Sequence, residues 1–520
     1  MHLPRRGLLL GAAGAVLAGA APRRRAAPGP PYPALAAGLD GRTVLPGDAE
    51  YGEARQSFQP RFDGAAPGAV VYPAHERDVA ECLGFARRYG VPVTARGGGH
   101  SYAGRSTGPG LVLDLGALAA IDTGTGTARV GAGVRLGELH ARLAASGAVL
   151  PAGSCPSVGI AGLALGGGLG MASRAHGTTS DRLTGARVVT ADGIVREVGA
   201  EDDAELFWAL RGGGGGNFGV VTEFRFRTAP TPAADCAFAE LHWSWRDTAA
   251  VLRGWQRWLA ELPDPYWSQV EFTVSGPGAP GAPAVRVVCL DGRREAEGAL
   301  SRLTDLVGTD PRDRWVTSRG YADTVRLLAG CADRAPRECR LPGDLPGRDP
   351  GGLLTRSDHA ARSDFWRPGG LGPDAVEAVL RAVSGYAGTV PAGGTGVVQF
   401  DGVCGGAVNR PAPGDTAFAH RDSGFLGQYL VHWTQEAGPA ERAAHRAWLD
   451  GLWRDLRPWA SGTAYQNYLD PELSDWARSY YGANLPRLVA VRRRYDPEGL
   501  FSSPQSIAAA SPGAGRSGSA

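Results

Sequence analysis

The chain contains no lysine, so all 54 of its basic side chains are arginine, and 52 aspartates and glutamates nearly balance them. No long basic run occurs in the part of the chain that is expected to fold. Because nucleic-acid binding needs a concentrated basic surface, a nucleic-acid partner is not predicted. At 520 residues the chain exceeds the size at which one hydrophobic core keeps growing, which favours two domains.

A hydrophobic run of membrane-spanning length is also lacking at the N-terminus. The apolar run from Leu8 to Ala20 is shorter than the roughly 20 residues that cross a bilayer. It follows Arg5-Arg6 and ends in the small residues Ala18-Gly19-Ala20, a pattern that predicts a signal peptide over residues 1–20 and secretion by the bacterial twin-arginine route. An uncleaved anchor and an ordinary secretory signal are the alternatives. No stable membrane insertion is expected after cleavage.

Cysteine is too scarce for a disulfide scaffold, since a chain of this length has only seven. Cys82 shares a helical face with Val79, Leu83 and Ala86, which indicates a buried core residue. Cys331 and Cys339 lie in a loop rich in proline and arginine, where they either form a disulfide or stay reduced. The odd total requires at least one cysteine with another role.

Apolar periodicity predicts an α+β chain. Helices are expected at Glu76–Tyr89, Leu136–Ala145, around Leu206 to Leu210, Thr248–Leu262 and Ala296–Val307, and strands at Ala69–Tyr72, Val91–Ala95, Leu111–Leu115, around Phe224 and Phe226, Gln269–Val274, Val285–Leu290 and Val397–Asp401. A hairpin is expected between Ala186 and Val198, turning at Asp192-Gly193. The predicted segments are a linker over 21–33, domains over 34–230 and 231–460, a segment over 461–507 that returns to the first domain, and a disordered tail over 508–520.

The stretch from Arg96 to Tyr102 contains three consecutive glycines after a predicted strand. Glycines tolerate positive φ and allow close approach, so their backbone N–H groups can face a phosphate. A flexible surface loop is the alternative. The chain has no G-x-G-x-x-G motif in the context that a Rossmann dinucleotide site requires.

Several such stretches occur in a characteristic order. They are Arg96-Gly97-Gly98-Gly99-His100-Ser101-Tyr102, Gly153-Ser154-Cys155-Pro156-Ser157-Val158-Gly159, Gly215-Gly216-Asn217-Phe218-Gly219-Val220-Val221, Tyr465-Gln466-Asn467-Tyr468, Tyr480 to Leu488, and Tyr495-Asp496-Pro497-Glu498-Gly499-Leu500-Phe501. From about Pro60 to Ile507 this set resembles the berberine-bridge-enzyme-like branch of the vanillyl-alcohol-oxidase flavoproteins.

The resemblance implies a PCMH-type FAD-binding domain, completed by the C-terminal segment, with an inserted α+β substrate domain whose antiparallel sheet is covered by helices. It also implies FAD bonded covalently to His100 and Cys155. Imidazole and thiolate are both competent nucleophiles toward an electron-poor ring. A loop histidine and a structural thiol are the alternative readings.

Further residues are implied to surround the cofactor, and no metal site is predicted. The implied residues are Arg96, Gly97, Gly98, Gly99, Ser101, Val158, Gly159, Gly162, Asn217, Gly219, Val221, Tyr465 and Asn467. The cluster Gly166 to Gly170 either contacts the cofactor through its backbone or allows tight packing of a turn.

Tyr468 occupies the position at which the resemblance implies a catalytic base that removes a hydroxyl proton as hydride leaves the same carbon. For this role the pKa of Tyr468 must be lowered. A lowering by two units corresponds to about 2.7 kcal/mol of differential stabilisation of the ionised form. Tyr102 is a candidate neighbour for this. Gln399, Asp401 and Gln428 are expected on the sheet face above the flavin, unless they are merely solvated strand residues.

The implied reaction is oxidation of an alcohol carbon in a sugar, oligosaccharide, or glycosylated or polyketide metabolite, with O2 as acceptor and H2O2 as product. Val158 favours oxygen access in this family. Val397 stands where sugar oxidases tend to have an aromatic platform, which Trp366, Tyr429 or Trp433 would have to supply. A dehydrogenase with another acceptor and a non-catalytic flavin-binding protein are the alternatives.

Overall fold

The computed structural model describes residues 29–275, 278, 280–389 and 393–507. The predicted signal peptide, residues 21–28 of the predicted linker and the predicted tail lie outside the described residues. The first helix begins at Tyr32, inside the segment predicted as linker. Across the described ranges, no helix combines the length and apolar character needed to cross a membrane.

The strands of the described residues are short in the N-terminal part and longer after residue 235. In chain order they are β1 Arg42–Val44, β2 Ala69–Tyr72, β3 Val93–Arg96, β4 Leu111–Asp114, β5 Ile121–Gly124, β6 Thr127–Gly131, β7 Ala148–Val149, β8 Leu183–Val189, β9 Val195–Gly199, β10 Val220–Arg227, β11 Ala229–Pro230, β12 Cys236–His242, β13 Tyr266–Ser275, β14 Ala284–Cys289, β15 Asp313–Arg319, β16 Asp358–Trp366, β17 Gly394–Asp401 and β18 Phe425–Trp433.

The helices include most of those that the sequence predicts. They are α1 Tyr32–Ala37, α2 Tyr51–Ala54, α3 Glu76–Tyr89, α4 Leu136–Ala145, α5 Ile160–Leu165, α6 Ser173–His176, α7 Ala204–Leu210, α8 Thr248–Glu261, α9 Arg293–Val307, α10 Tyr321–Leu328, α11 Pro373–Thr389, α12 Pro439–Leu456, α13 Trp476–Tyr481 and α14 Leu485–Tyr495.

Helix α3 illustrates why the local prediction succeeds. Acidic residues Glu76 and Asp78 lie in its first turn and Arg87 and Arg88 in its last, where each charge opposes the helix dipole. Gly90 ends the helix with φ 63°, the left-handed conformation that glycine adopts without steric cost. The bounds predicted from the sequence are therefore confirmed for this helix.

Two sheets support the glycine loops of the N-terminal part. One has the order β1-β2-β4-β3, in which β2, β4 and β3 are parallel and β1 is antiparallel to β2. The other is antiparallel with the order β5-β6-β10-β8-β9 and contains the predicted hairpin β8–β9. The first sheet delivers the chain from β3 into the glycine loop.

A seven-stranded antiparallel sheet follows, with the order β15-β12-β14-β13-β17-β18-β16. Side chains of one face, such as Val270, Phe272, Val398 and Phe400, pack in a common core with helices α8, α9, α11 and α12. The alternate side chains face the opposite way, because successive residues of a strand point to opposite faces. That second face is the one that matters for the site.

The C-terminal segment shares its core with the N-terminal part. Tyr480, Tyr481, Leu488 and Ile507 belong to the same buried cluster as residues of α3, β4 and β10. Together with the helix-covered antiparallel sheet, this confirms the predicted α+β fold class with a C-terminal return. The residue boundaries at 230 and 460 stay predictions.

The cysteines divide into three structural classes. Cys82 is fully buried with Val79, Leu83 and Ala86, as the helical spacing predicts. Cys331 and Cys339 form a disulfide, which decides the alternative that the sequence left open. Cys155 is the exposed member among the free cysteines of the described residues.

Candidate active site

Two glycine loops cross each other at the centre of the N-terminal part. A Cβ atom on Gly98 would lie 2.2 Å from the Gly159 nitrogen, and one on Gly159 would lie 2.3 Å from the Gly98 nitrogen. Only bare backbone fits at this crossing, so the loops that carry His100 and Cys155 are held together there. Gly97, Gly98, Gly99 and Gly159 all line one large cavity.

His100 lies at the wall of this cavity in a fixed orientation. Its ring stacks on Phe58 with 3.9 Å between centroids, and Nε2 is hydrogen-bonded to Ser157 Oγ at 2.9 Å. Burial, with a smaller contribution from Arg135, lowers the pKa of His100 to about 3. The imidazole is therefore neutral at physiological pH, which is its nucleophilic form.

Cys155 faces the same cavity from the second loop, and its thiol is accessible from there. Desolvation by the surrounding protein raises the pKa of this thiol. The neutral thiol is therefore favoured until a base removes its proton. His140 Nε2–H donates to the Gly153 carbonyl at 3.0 Å and thereby fixes the loop two residues before the cysteine.

Arg96 does not reach the cavity, which corrects its predicted role. Its Nε donates to Asp114 Oδ2 at 2.6 Å, and its two Nη groups donate to the carbonyls of Gln56 and Ala54. The Arg96 side chain is 3% exposed, and these three partners occupy its Nε and both Nη groups. Its contribution to the site is to anchor the start of the glycine loop.

We expect Arg96→Met to lower the free energy of unfolding by about 3–5 kcal/mol, because it leaves the Asp114 carboxylate buried without its cation. Denaturant unfolding measures this loss. Arg302→Met is the matched control, since Arg302 pairs with Glu261 on an exposed surface, and its midpoint should not change. A normal unfolding midpoint combined with loss of flavin would instead support the role in cofactor binding.

Asn217 also departs from its predicted position beside the cofactor. Its Nδ2 donates to the Gly213 carbonyl at 3.0 Å and its Oδ1 accepts from the Ile507 N–H at 3.1 Å. The amide therefore ties the third glycine loop to the C-terminal segment. The backbone of that loop does line the cavity, through Gly215, Gly216, Gly219, Val220 and Val221.

The remaining predicted cofactor residues lie at the cavity wall. Ser101, Val158, Gly162, Tyr465 and Asn467 all line it, and nothing stands within 4 Å of where a Cβ on Gly162 would be. Within the cluster Gly166 to Gly170, Leu169 and Gly170 also line the cavity. The cluster packs tightly as well, because a Cβ on Gly170 would meet the Ala152 carbonyl oxygen at 1.9 Å.

The Tyr-x-Asn-Tyr segment connects the C-terminal return to the cavity. The Tyr465 hydroxyl accepts from the Gly168 N–H at 3.0 Å and from Asn467 Nδ2 at 2.9 Å. Asn467 also donates to the Leu163 carbonyl at 3.0 Å. These bonds place Tyr468 at the cavity wall next to the second glycine region.

Tyr102 and Tyr468 form a parallel pair inside the cavity. Their ring centroids are 5.3 Å apart with an interplanar angle of 2°. The Tyr102 hydroxyl accepts from Gln428 Nε2 at 3.0 Å, and the ring of His359 stands edge-on to Tyr102 at 4.6 Å. The structure thus brings Tyr102, Tyr468 and Gln428 together, as the sequence predicts, and adds His359, which no sequence pattern indicated.

Asp401 lies on the cavity face of the seven-stranded sheet, with Gln399 two residues before it. Its Oδ1 accepts from Trp267 Nε1 at 2.6 Å. Burial raises its pKa to about 7, although hydrogen bonds from Trp267 and Gln399 act in the opposite direction. Asp401 can therefore exchange a proton near neutral pH. Gln399 and Gln428 are direct cross-strand partners on the same face.

The expectation that its protein neighbours lower the pKa of Tyr468 is wrong. Burial raises this pKa, and Tyr102, Asp401, Tyr465 and Cys155 raise it further. Tyr102, which the sequence predicts as a neighbour that lowers the pKa of Tyr468, raises it.

The predicted substitutes for the missing aromatic platform lie on the wrong side of the sheet. Trp366, Tyr429 and Trp433 all belong to the helix-covered core, and Trp366 Nε1 donates to the Tyr429 hydroxyl at 3.0 Å. The cavity face instead offers residues that sequence reasoning missed: Trp267, Gln269, Glu271, Arg286, Glu240 and Trp315. Alternation of Trp267, Gln269 and Glu271 along β13 is the signal that would have found three of them.

The cavity has a volume of about 770 Å³. Bare backbone from three glycine loops lines one part, and the tyrosine pair and the polar sheet face line another. The donor set fits FAD: the backbone of Gly97 to Gly99 and of Gly159 would face the pyrophosphate, and His100 and Cys155 present nucleophiles to the same cavity.

Comparisons with known proteins agree with this fit. The family described as FAD binding domain matches residues 67–199, and the family described as Berberine and berberine like matches residues 464–508. A Bacillus subtilis FAD-linked oxidoreductase, YgaK, is 31% identical over 90% of this chain and 97% of its own length.

Oligosaccharide oxidases are among the other relatives. Chitooligosaccharide oxidase of Gibberella zeae is 28% identical, covering 85% of this chain and 87% of its own. The solved glucooligosaccharide oxidase of Acremonium strictum, described with a 6-S-cysteinyl, 8α-N1-histidyl FAD, superposes with a TM-score of 0.80 at 25% identity, covering 92% of this chain and 98% of that one. The chain belongs to the berberine-bridge-enzyme-like FAD-linked oxidoreductases.

Proposed function

We propose that this FAD-linked oxidoreductase oxidises an alcohol carbon of a sugar, an oligosaccharide or a glycosylated or polyketide metabolite and uses O2 as acceptor, releasing H2O2. We also propose that FAD is bonded to both His100 and Cys155. The observation that carries the proposal is that these two nucleophiles, the tyrosine pair and Asp401 all line one cavity. The oligosaccharide oxidases among the relatives support the substrate class.

When bound in this cavity, FAD supplies the acceptor for the hydride that leaves the alcohol carbon. The residues of the chain supply the rest of the chemistry. The substrate hydroxyl must also lose a proton, and Tyr468 and Asp401 are ionisable groups at the cavity wall that can take it. A pKa of about 7 suits Asp401 to general-base catalysis at neutral pH.

The amide side chains are suited to orienting the alcohol. Gln399 and Gln428 lie side by side on neighbouring strands, and Gln428 donates a hydrogen bond to the Tyr102 hydroxyl. Both can donate to a sugar hydroxyl without carrying charge. The half-buried ring pair of Tyr102 and Tyr468 can shield one side of the reacting carbon from water.

Access for oxygen is supported by Val158, a small side chain that lines the cavity three residues after Cys155. The test is anaerobic reduction of the holoenzyme by an accepted sugar, followed by rapid mixing with air-saturated buffer. Reoxidation within seconds, with stoichiometric H2O2, supports the oxidase. Reoxidation over minutes would assign the chain to dehydrogenases that use another acceptor.

Val158→Leu provides the matched variant, because one added methylene narrows the wall of the cavity. We expect it to slow reoxidation while leaving anaerobic reduction by the same sugar within a factor of about three. Equal slowing of both half-reactions would show that the substitution disturbs the site generally.

A further inference from the structure

The cavity continues past Asp401 along the seven-stranded sheet. Asp401, Gln269, Arg286, Glu240 and Trp315 are successive cross-strand partners on five neighbouring strands. All five line the cavity. Strands lie about 4.8 Å apart, so the row extends about 19 Å from the reacting end. A substrate larger than one sugar unit can therefore contact this row while its alcohol is beside Asp401.

The far half of the row carries an excess of negative charge. Arg286 Nη1 donates to Glu271 Oε2 at 3.1 Å, and its Nε donates to Glu240 Oε1 at 3.3 Å. Two carboxylates thus share one guanidinium. Gln269 Nε2 donates to the same Glu271 oxygen at 2.7 Å, which adds no charge.

Two other side chains contact these carboxylates without adding a permanent charge. His242 Nε2 lies 3.4 Å from Glu240 Oε1 at a side-chain exposure of 45%, and Thr273 donates to Glu271 Oε1 at 2.9 Å. The side chains of Glu240, Glu271 and Arg286 are 23%, 18% and 30% exposed. They are accessible to a ligand, yet sheltered enough for their charge to act on it.

Trp315 completes this end with an aromatic surface. It is 45% exposed, it is the direct cross-strand partner of Glu240, and the Phe238 ring stands against it at 5.4 Å. An exposed indole beside a carboxylate attracts a cation through both its ring face and the neighbouring charge. A ligand carboxylate or phosphate would meet two glutamates and an arginine that already has partners.

We propose that the row Gln269, Arg286, Glu240 and Trp315, with Glu271, is the distal half of the substrate site and selects an ammonium-bearing glycoside. The ammonium would lie about 10–19 Å from the alcohol carbon that is oxidised, two to four strand spacings from Asp401. This inference rests on the proposed function for the position of the reacting alcohol. The substrate class is then an amino-sugar glycoside.

The test uses glucose trisaccharides that differ only in the sugar farthest from the reducing end. That sugar carries an ammonium, an acetamide or a hydroxyl at carbon 2, or a carboxylate at carbon 6. Binding to the anaerobic, chemically reduced holoenzyme is measured by calorimetry at low salt, so that no turnover occurs. We expect the ammonium form to bind at least about tenfold more tightly than the hydroxyl form, with an advantage that shrinks as salt rises.

Variants locate the preference on the proposed row. The preference is the dissociation constant of the hydroxyl form divided by that of the ammonium form. Glu240→Gln and Glu271→Gln should each reduce this ratio by about threefold or more, and Trp315→Ala should reduce it as well. Glu261→Gln is the control, because Glu261 pairs with Arg302 on the exposed surface of α8, and its ratio should match the parent.

The outcomes separate this inference from the proposed function. Equal binding of the four trisaccharides, tighter binding of the carboxylate form, no binding at all, or a ratio that survives all three variants would each overturn the inference. Failure of the whole series to reduce the oxidised holoenzyme, with the ammonium preference intact, would instead overturn the sugar-oxidising function and leave the ligand class standing.

Discussion

A variant carrying both His100→Ala and Cys155→Ala is expected to release all of its flavin on acid denaturation, whereas the parent chain retains it. Each single variant should retain flavin through the remaining bond, because the two side chains reach the cavity from separate loops. The measurement is flavin absorbance in the supernatant and in the precipitated protein. Flavin that stays with the double variant would refute both linkages.

The absence of lysine makes the parent chain informative by mass spectrometry. Trypsin then cuts only after arginine, so His100 lies in the peptide 97–105 and Cys155 in the peptide 143–174. With two bonds to one flavin, these peptides should be recovered as a single cross-linked species that carries the flavin mass. Cys82→Ala is the matched control, since Cys82 is buried in α3, and its digest should yield the same cross-linked flavin species.

Tyr468→Phe is expected to lower the rate of flavin reduction by about 10²–10⁴-fold, the usual contribution of proton transfer by a positioned side chain. The ring pair with Tyr102 should survive, because phenylalanine keeps the same stacking surface. Anaerobic stopped-flow measures the rate, and the unchanged flavin spectrum shows that the site is intact. A near-normal rate of flavin reduction would show that another residue is the base.

The pH dependence of the same rate distinguishes Tyr468 from Asp401. The pKa of Asp401 is raised to about 7, so its carboxylate predominates only above that pH. If Asp401 takes the proton, the rate rises through about pH 7 and then levels off, and Asp401→Asn removes that rise. If Tyr468 acts alone, its raised pKa makes the rate continue to increase well above neutral pH.

Local elements of the fold follow from patterns that depend on neighbours along the chain. The helix Glu76–Tyr89 has its charges, its apolar face and its terminating glycine within fifteen residues, and the structure matches the prediction. The same holds for Gln399 and Asp401, since alternation along one strand puts both side chains on one face. His100, Cys155 and Tyr468 were found through the order of their motifs, which again is a property of the sequence.

Contacts between distant segments could not be predicted in this way. The glycine-loop motif predicts a cofactor contact for Arg96, yet its guanidinium binds Asp114 and two carbonyls that only the fold brings to it. Asn217 similarly bonds Ile507, 290 residues away. The pKa of Tyr468 depends on every group packed around its ring, so its direction required the packed structure.

The sequence by itself determined the cofactor class and the strand that carries Asp401, and it predicts the two nucleophiles, because each is encoded in ordered motifs or a local period. Only the tertiary structure decided which strands adjoin that one and in which register. Register aligns Asp401 with Gln269, Arg286, Glu240 and Trp315 from four other strands, and a shift of one residue would turn each of those side chains to the helix-covered face.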